Sequence, residues 1–564
     1  IRDSDVTVLC PVFVDGAPFV FPCVRMHWAD IGGMTPGSIS GMATEILQEG
    51  VRIPPIKLID SGVENRAAMT LLFANVRGAA ARRGDLDSCI AACRTAERRL
   101  IDFAARYGVD EIGRYLDANI SRTEARLRQR ISALPDGVYH YEDSLDLYTE
   151  GKYDPVLIRC ALTVAGDEMV ADFTGSGAQV AAVVNASLAM TNAGVFIILK
   201  SVLDPGGRIN AGAFRPIRVV APEGTVVNVA FPAPANAHSE VRKRVLSAVM
   251  GALAQVAPEA VTADQCGTTF QNLLGGIDAD GHAYLYYDYP PGGNGGFPEG
   301  DGPDVMNPVD LGDISTVQPV EVLESTSPVL VESCTYRVDS CGDGMRRGGV
   351  GARRATRLLA DSGTYSVQAD RAVVPPWGLA LGHAGAPIRT AQERGNEIIE
   401  FATPGKVGGQ VFRQGDVLVM ESAGGGGWGD PLQRETDRVL ADLVGGLITA
   451  GRAADVYGVV LNRTGGIDDK ATVARRAELA ASRTTLKLAA LSDDKAFAGK
   501  RGRHRRAEMS AATAAKLGIE AGSLIEVHGR HPAPLRAWVY LAPQPDGVLA
   551  VAEDGLAIVG MKAG

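Results

Sequence analysis

The sequence has no uninterrupted apolar run approaching the ~18 residues that a membrane-spanning helix needs, so membrane insertion is not expected. It has no excess of positive charge. A net charge of −10 excludes a general nucleic-acid binder, because phosphate backbones demand clustered lysine and arginine. Its eight cysteines include no Cys-x-x-Cys pair and no zinc-finger spacing, and no signal peptide is visible, which fits a reduced, cytoplasmic setting. There is no Gly-x-Ser-x-Gly elbow for a serine hydrolase. The glycine tracts at 424–427 and 291–296 lack the Lys-Ser/Thr ending or the following helix of a phosphate loop, and are read as tight turns packed against strands. Met561-Lys562-Ala563 lacks the second methionine of a biotin carrier, so no biotin is expected.

What the chain does have is 564 residues, 46% of them hydrophobic and 22% charged, enough for a large core beneath a well-solvated surface. Residues 5–26 read as a β-hairpin about Asp15-Gly16, a dipeptide that favours a type I′ turn. Unbroken pairing would set Asp5 and His27 on opposite faces. One bulged residue, expected near Pro22, would bring them face to face. Helices are expected over residues 85–107 (Gly108 as C-cap), 117–134, 239–257 (Ser239 as N-cap), 434–445 and 468–485. Residues 155–235 and 263–432 read as β-rich. The fold class is therefore α+β: a large mixed-sheet catalytic region with long helices over 1–485, a linker over 486–502, and a small β-rich C-terminal module over 503–564. The basic run 500–506 reads as a solvated linker or a contact with an acidic partner.

The most informative stretch is residues 27–58. His27 and Asp30 stand at i and i+3 before Gly32-Gly33, followed by Pro36-Gly37, Glu45, Glu49, Arg52 and Pro54-Pro55. Imidazole and carboxylate on a glycine-hinged turn can form a divalent-ion site or an acid/base pair. They can equally be a surface histidine and a turn-capping aspartate. Arg52 could hold a phosphate or carboxylate, or form a salt bridge within the fold.

This string resembles the signature of the hydantoinase B/oxoprolinase family, with its His-x-x-Asp-hydrophobic-Gly-Gly, Pro-Gly-Ser and Glu-Gly-x-Arg-Ile-Pro-Pro blocks. Asn75-Val76-Arg77, Asp172-Phe173-Thr174-Gly175-Ser176, Arg346 to Gly351 and Trp428-Gly429-Asp430-Pro431 agree with it in order. The resemblance implies that a further N-terminal part of the family domain precedes Ile1. It also implies a metal site to which Asp5, His27 and Asp30 contribute, with Mn, Zn or Mg as the ion. Arg2 stands where the family's first histidine would be. Either the site keeps fewer ligands, or the metal is lost and Arg2 binds an anionic substrate.

By the same resemblance, ATP and Mg are handled by an actin-like, hydantoinase A-type partner, with room for a small additional subunit and a dimer of heteromers. That partner phosphorylates a carbonyl oxygen, and this chain completes the reaction with His27, Asp30 and Arg52 as catalytic candidates. An acetone/acetophenone carboxylase-like subunit, joining a phospho-enol ketone to activated bicarbonate, is the expectation adopted. The alternatives are an ATP-dependent cyclic amide hydrolase subunit and a non-catalytic scaffold in such a complex.

Overall fold

The computed structural model describes residues 5–38, 40–311, 318–499 and 504–562. Arg2, residues 500–503 of the basic run and Ala563 lie outside the described residues. The fold is α+β, and the chain forms two compact units: residues 1–133, 164–169 and 178–238, and residues 134–163, 170–177 and 239–564.

The first unit opens with the hairpin. Asp15 and Gly16 have φ of 50° and 79°, the left-handed pair a type I′ turn requires. Val12–Val14 pairs with Ala17–Val20, and Asp5–Leu9 with Cys23–His27. The register slips by one residue, so that Asp5 faces His27. The extra residue is Phe19 rather than a neighbour of Pro22, since Val12 pairs with Val20 and Phe13 with Pro18. Pro22 fits the ladder because it is used only as an acceptor: its carbonyl takes the Cys10 N–H at 3.0 Å. Inward residues Val8, Trp28 and Ile31 pack with Met69 and Leu72 of the Arg66–Ala74 helix and with Leu86, Cys89 and Cys93 of the Ala79–Tyr107 helix. A second long helix, Val109–Ile131, follows directly at Gly108, eight residues earlier than expected. Leu188–Leu203, inside the stretch read as β-rich, is also a helix. Its Val195-Phe196-Ile197-Ile198-Leu199 run looks like a strand, but a helix apolar around most of its circumference is what a buried one looks like.

In the second unit, two antiparallel sheets enclose a core. One orders Ala283–Asp288, Gln271–Ile277, Ser362–Gln368 and Lys406–Arg413; the other orders Val329–Tyr336, Ala352–Leu358, Val417–Glu421, Arg389–Arg394 and Glu397–Glu400. Leu274, Tyr286, Leu358, Tyr365, Phe412, Leu418 and Met420 fill the space between them. Helix His238–Leu253 starts one residue before Ser239, which is therefore inside the helix rather than its cap.

The glycine tracts are not tight turns. Segments 291–296, 340–349, 377–385 and 424–428 run alongside one another and bond laterally: Gly425 N–H to Gly349 O at 3.0 Å, Gly342 N–H to Gly425 O at 2.8 Å, Gly296 N–H to Gly426 O at 2.9 Å. Backbones this close leave no room for side chains. A Cβ on Gly425 would lie 2.0 Å from the Asn294 carbonyl oxygen. Gly425→Ala is therefore expected to destabilise the unit by at least about 1–3 kcal/mol, the usual cost of overpacking, measured by urea or thermal unfolding. A variant that unfolds like the parent would show that the segments can move apart.

The C-terminal sheet runs Lys487–Leu491, Val548–Ala552, His504–Met509, Leu535–Leu541 and Leu524–Val527, with Phe497–Ala498 paired to His504–Met509. Two of its strands thus come from 486–502, the stretch read as a linker. Arg505 pairs with Glu142, and Arg536 with Asp143, on the Gly137–Leu145 strand of the same unit. Among the described residues, no helix is long and apolar enough to cross a membrane.

Candidate functional site

The slipped register brings Asp5 and His27 together. Nδ1 of His27 lies 3.1 Å from Asp5 Oδ1. Arg25, two residues before His27 and so on the same strand face, donates to Asp5 Oδ2. The imidazole is 43% exposed and the Asp5 carboxylate only 11%, so the carboxylate sits behind the ring and fixes its orientation. Burial opposes the charge on Asp5, but hydrogen bonds from His27 and Arg25 outweigh it and hold the carboxyl well below the usual range. Among the described residues, Nε2 of His27 has no hydrogen-bond partner. The result is an oriented, half-exposed imidazole, the arrangement a general base requires.

Asp30 is used differently. Its carboxylate accepts from Gly32 N–H at 2.7 Å, Gly37 N–H at 2.9 Å, Arg77 N–H at 3.2 Å and Arg77 Nη1 at 3.0 Å. These bonds prevail over burial and keep it ionised below the ordinary carboxylate range. Arg77 also donates to Thr35 O and Gly33 O, at 3.1 and 2.9 Å. Asp30 is thus the organiser of the turn after His27. Gly32 is required there: its φ is 82°, and a Cβ would meet the Asn75 carbonyl at 1.9 Å. Ser38 Oγ accepts from Ile31 and Gly33 N–H, at 2.9 and 3.0 Å. Glu49, buried, accepts from Ala235 N–H at 3.0 Å and Asn236 N–H at 2.7 Å. Trp28 anchors the turn from below, stacked on Phe73 at 6.1 Å.

The expected three-residue convergence is therefore partial. Asp5 and His27 meet, and Asp30 does not join them. Among the described residues, the triple whose ligand atoms lie within 4.8 Å of one another is Asp278, Asp280 and His282. That is a surface turn in which Asp278 accepts the Asp280 and His282 N–H groups. Asp5 and His27 offer two ligand atoms to a cation, while Arg25 sets a fixed positive charge against the same carboxylate. These residues alone do not make a divalent-ion site. Arg52 is exposed, its guanidinium 5.4 Å from the Phe231 ring centroid, and among the described residues it takes no carboxylate partner, which leaves it open to an anion.

Arg25, Arg77 and Glu49 are parts of this site that the motif spacing does not single out. The spacing of Arg25 and His27 was a readable signal for the first. Arg77 lies 47 residues from Asp30, and only its recurrence in the Asn-Val-Arg block hinted at a role.

Residues 2–431 match the family described as Hydantoinase B/oxoprolinase. The chain is 32% identical to the putative B-type subunit of a D-/L-hydantoinase from Pseudomonas sp. strain NS671, over 83% of this chain and 80% of that protein. It is 30% identical to the beta subunit of the caprolactamase of Pseudomonas jessenii, over 83% and 81%. The crystal structure of the ATP-dependent caprolactamase from Pseudomonas jessenii superposes with a TM-score of 0.79 at 28% identity, covering 85% of this chain and 83% of that one. A nucleotide-free acetone carboxylase structure gives a TM-score of 0.78 at 21% identity, covering 85% and 70%, a likeness of fold.

Proposed function

The chain belongs to the hydantoinase B/oxoprolinase family, and from that premise we propose that it is the B-type component of an ATP-dependent hydrolase of cyclic amides, a hydantoin or a lactam. The observation that carries this reading is the likeness, along about four-fifths of both chains, to the B-type component of a hydantoinase and the beta component of a caprolactamase, at 32% and 30% identity.

An amide carbonyl resists water because its nitrogen is a poor leaving group and its carbon a weak electrophile. Phosphorylation of the carbonyl oxygen by an actin-like, A-type partner removes that resistance. In this chain the Asp5 carboxylate holds His27 through Nδ1, so that Nε2 draws a proton from the attacking water. Arg52 offers its charge to the phosphorylated oxygen or to the new carboxylate. Asp30 and Arg77 position the turn through their ion pair.

The carboxylase reading expected from the sequence is the second one. Its support is the fold likeness to acetone carboxylase, at 21% identity. Both readings use the same activation by the partner, and the acceptor differs: water in one, a phospho-enol in the other.

The purified complex, supplied with ATP and panels of hydantoins, lactams and ketones with labelled bicarbonate, separates them. Ring opening coupled to ATP consumption is expected, without bicarbonate fixation. The chain alone, which carries no nucleotide-binding motif, should neither bind nor hydrolyse ATP. Ketone-dependent fixation of label would hand the function to the carboxylase reading, and ATP turnover by the isolated chain would overturn the division of labour.

A further inference from the structure

A cavity of about 930 Å³ lies in the first unit, between the C-terminal end of the Ala79–Tyr107 helix, the Val109–Ile131 helix and the loop after Leu203. Its size is that of a small-molecule pocket. None of the residues of the Asp5–His27 site lines it. The loop is tied to the helix at both sides: Arg126 bonds Asp204 at 2.6 Å, and Asn210 Nδ2 donates to Thr123 Oγ1 at 3.0 Å. The space between is therefore bounded by fixed contacts.

Two features of the lining point the same way. Phe103, Tyr107, Tyr115 and Leu116 present large apolar faces that remain exposed, Tyr115 to 70%. The charged residues are Arg122, Arg126 and Arg208 against the single carboxylate Glu111, in a chain whose net charge is −10. Glu111 is taken by Arg114, and Arg126 by Asp204. Among the described residues Arg122 and Arg208 have no ion-pair partner. Aromatic walls bind a flat or apolar body, and unpaired guanidinium groups bind a carboxylate or sulfonate in bidentate fashion.

The geometry points to a second ligand site, in which the 103–126 helical face and Arg208 hold an organic monoanion with a flat apolar body. The anionic head meets Arg122 and Arg208, and the body lies against Phe103, Tyr107 and Tyr115. Such a ligand ties the 204–210 loop to the second long helix through a contact additional to the Arg126–Asp204 pair.

The test uses the full chain and two fluorescent probes of the same shape: anilinonaphthalene sulfonate, which carries one negative charge, and uncharged phenyl naphthylamine. Saturable binding of the anion is expected, weakened at least about tenfold by Arg122→Ala combined with Arg208→Ala, while the uncharged probe binds parent and variant alike. Tyr115→Ala weakens both probes. Because both arginines are exposed and lack ion pairs among the described residues, the double variant keeps its melting temperature, which circular dichroism checks. An anion affinity unchanged by the double substitution, an equal loss for both probes, or a titration that never saturates would each overturn the proposal.

Discussion

His27→Ala is expected to slow product formation by about 10²–10⁴-fold, the range for losing a general base, with ATP consumption by the partner subunit continuing. The effect follows from where His27 sits. Its side chain is half-exposed at the end of a strand, so truncation leaves no cavity in the core, and loss of activity cannot be blamed on unfolding. In the proposed division of labour, activation and attack take place on different subunits, so damage to the second leaves the first running uncoupled. Asp5→Asn keeps the shape and removes the charge that aligns the ring; a smaller loss is expected, together with an altered pH–rate profile, which a merely structural aspartate would not produce. The sign of the Asp5 effect is fixed by its depressed carboxyl. Whatever stability its charge contributes is complete above the unfolded value of about 3.9 and is lost as pH falls through the lower folded value. A rate change between about pH 5 and 8 in the parent therefore does not report Asp5. Full product formation by an assembled His27→Ala complex would leave the motif a turn and no more.

How much of this could be read in advance depends on range. The Asp15-Gly16 turn, the facing of Asp5 and His27, and the Gly108 break between long helices follow from local chemistry, and the sequence carries them openly. The bulge was placeable only to within a few residues, because a proline that donates nothing can still accept, and Pro22 does. Leu188–Leu203 was misread because periodicity disappears when a helix is buried on most sides. The glycine tracts were misread for a related reason: one tract looks like a turn, and only the neighbouring tracts reveal that each glycine makes room for another backbone. The role of Asp30 in holding the turn is hidden because its partner, Arg77, is distant in sequence. The ties between the Gly137–Leu145 strand and the C-terminal sheet span more than 360 residues, and no local pattern announces them.

Those ties are expected to carry a large stability effect. Asp143 is fully buried among three arginines: Arg371 at 2.8 Å, Arg244 at 3.2 Å, and Arg536 from the C-terminal sheet. Asp264 also meets Arg371, and Asp370 meets Arg244 at 3.2 Å, but burial pushes both of these carboxyls up and so opposes their charge. Removing Asp143 therefore leaves guanidinium groups in the interior with too little to balance them. Breaking a buried pair from one side costs about 3–5 kcal/mol, a large share of the 5–15 kcal/mol that holds a typical domain. Asp143→Ala is expected to lower the melting temperature by on the order of 10 °C, and added salt should rescue little of it, because buried charges are screened weakly. The neighbouring residue provides a comparison within the same strand. Glu142 points to the opposite face and grips Arg505 through two bonds of 2.7 Å, so the C-terminal sheet is attached from both faces of one strand. In Asp143→Ala, Glu142 remains, and residues 504–562 should become sensitive to limited proteolysis before the rest of the unit. Arg536→Met, which removes one of the three cations and fills its space with apolar volume, should cost less. Equal losses for Asp143→Ala and Arg536→Met would mean that packing, and not the uncompensated charge, is what the network supplies.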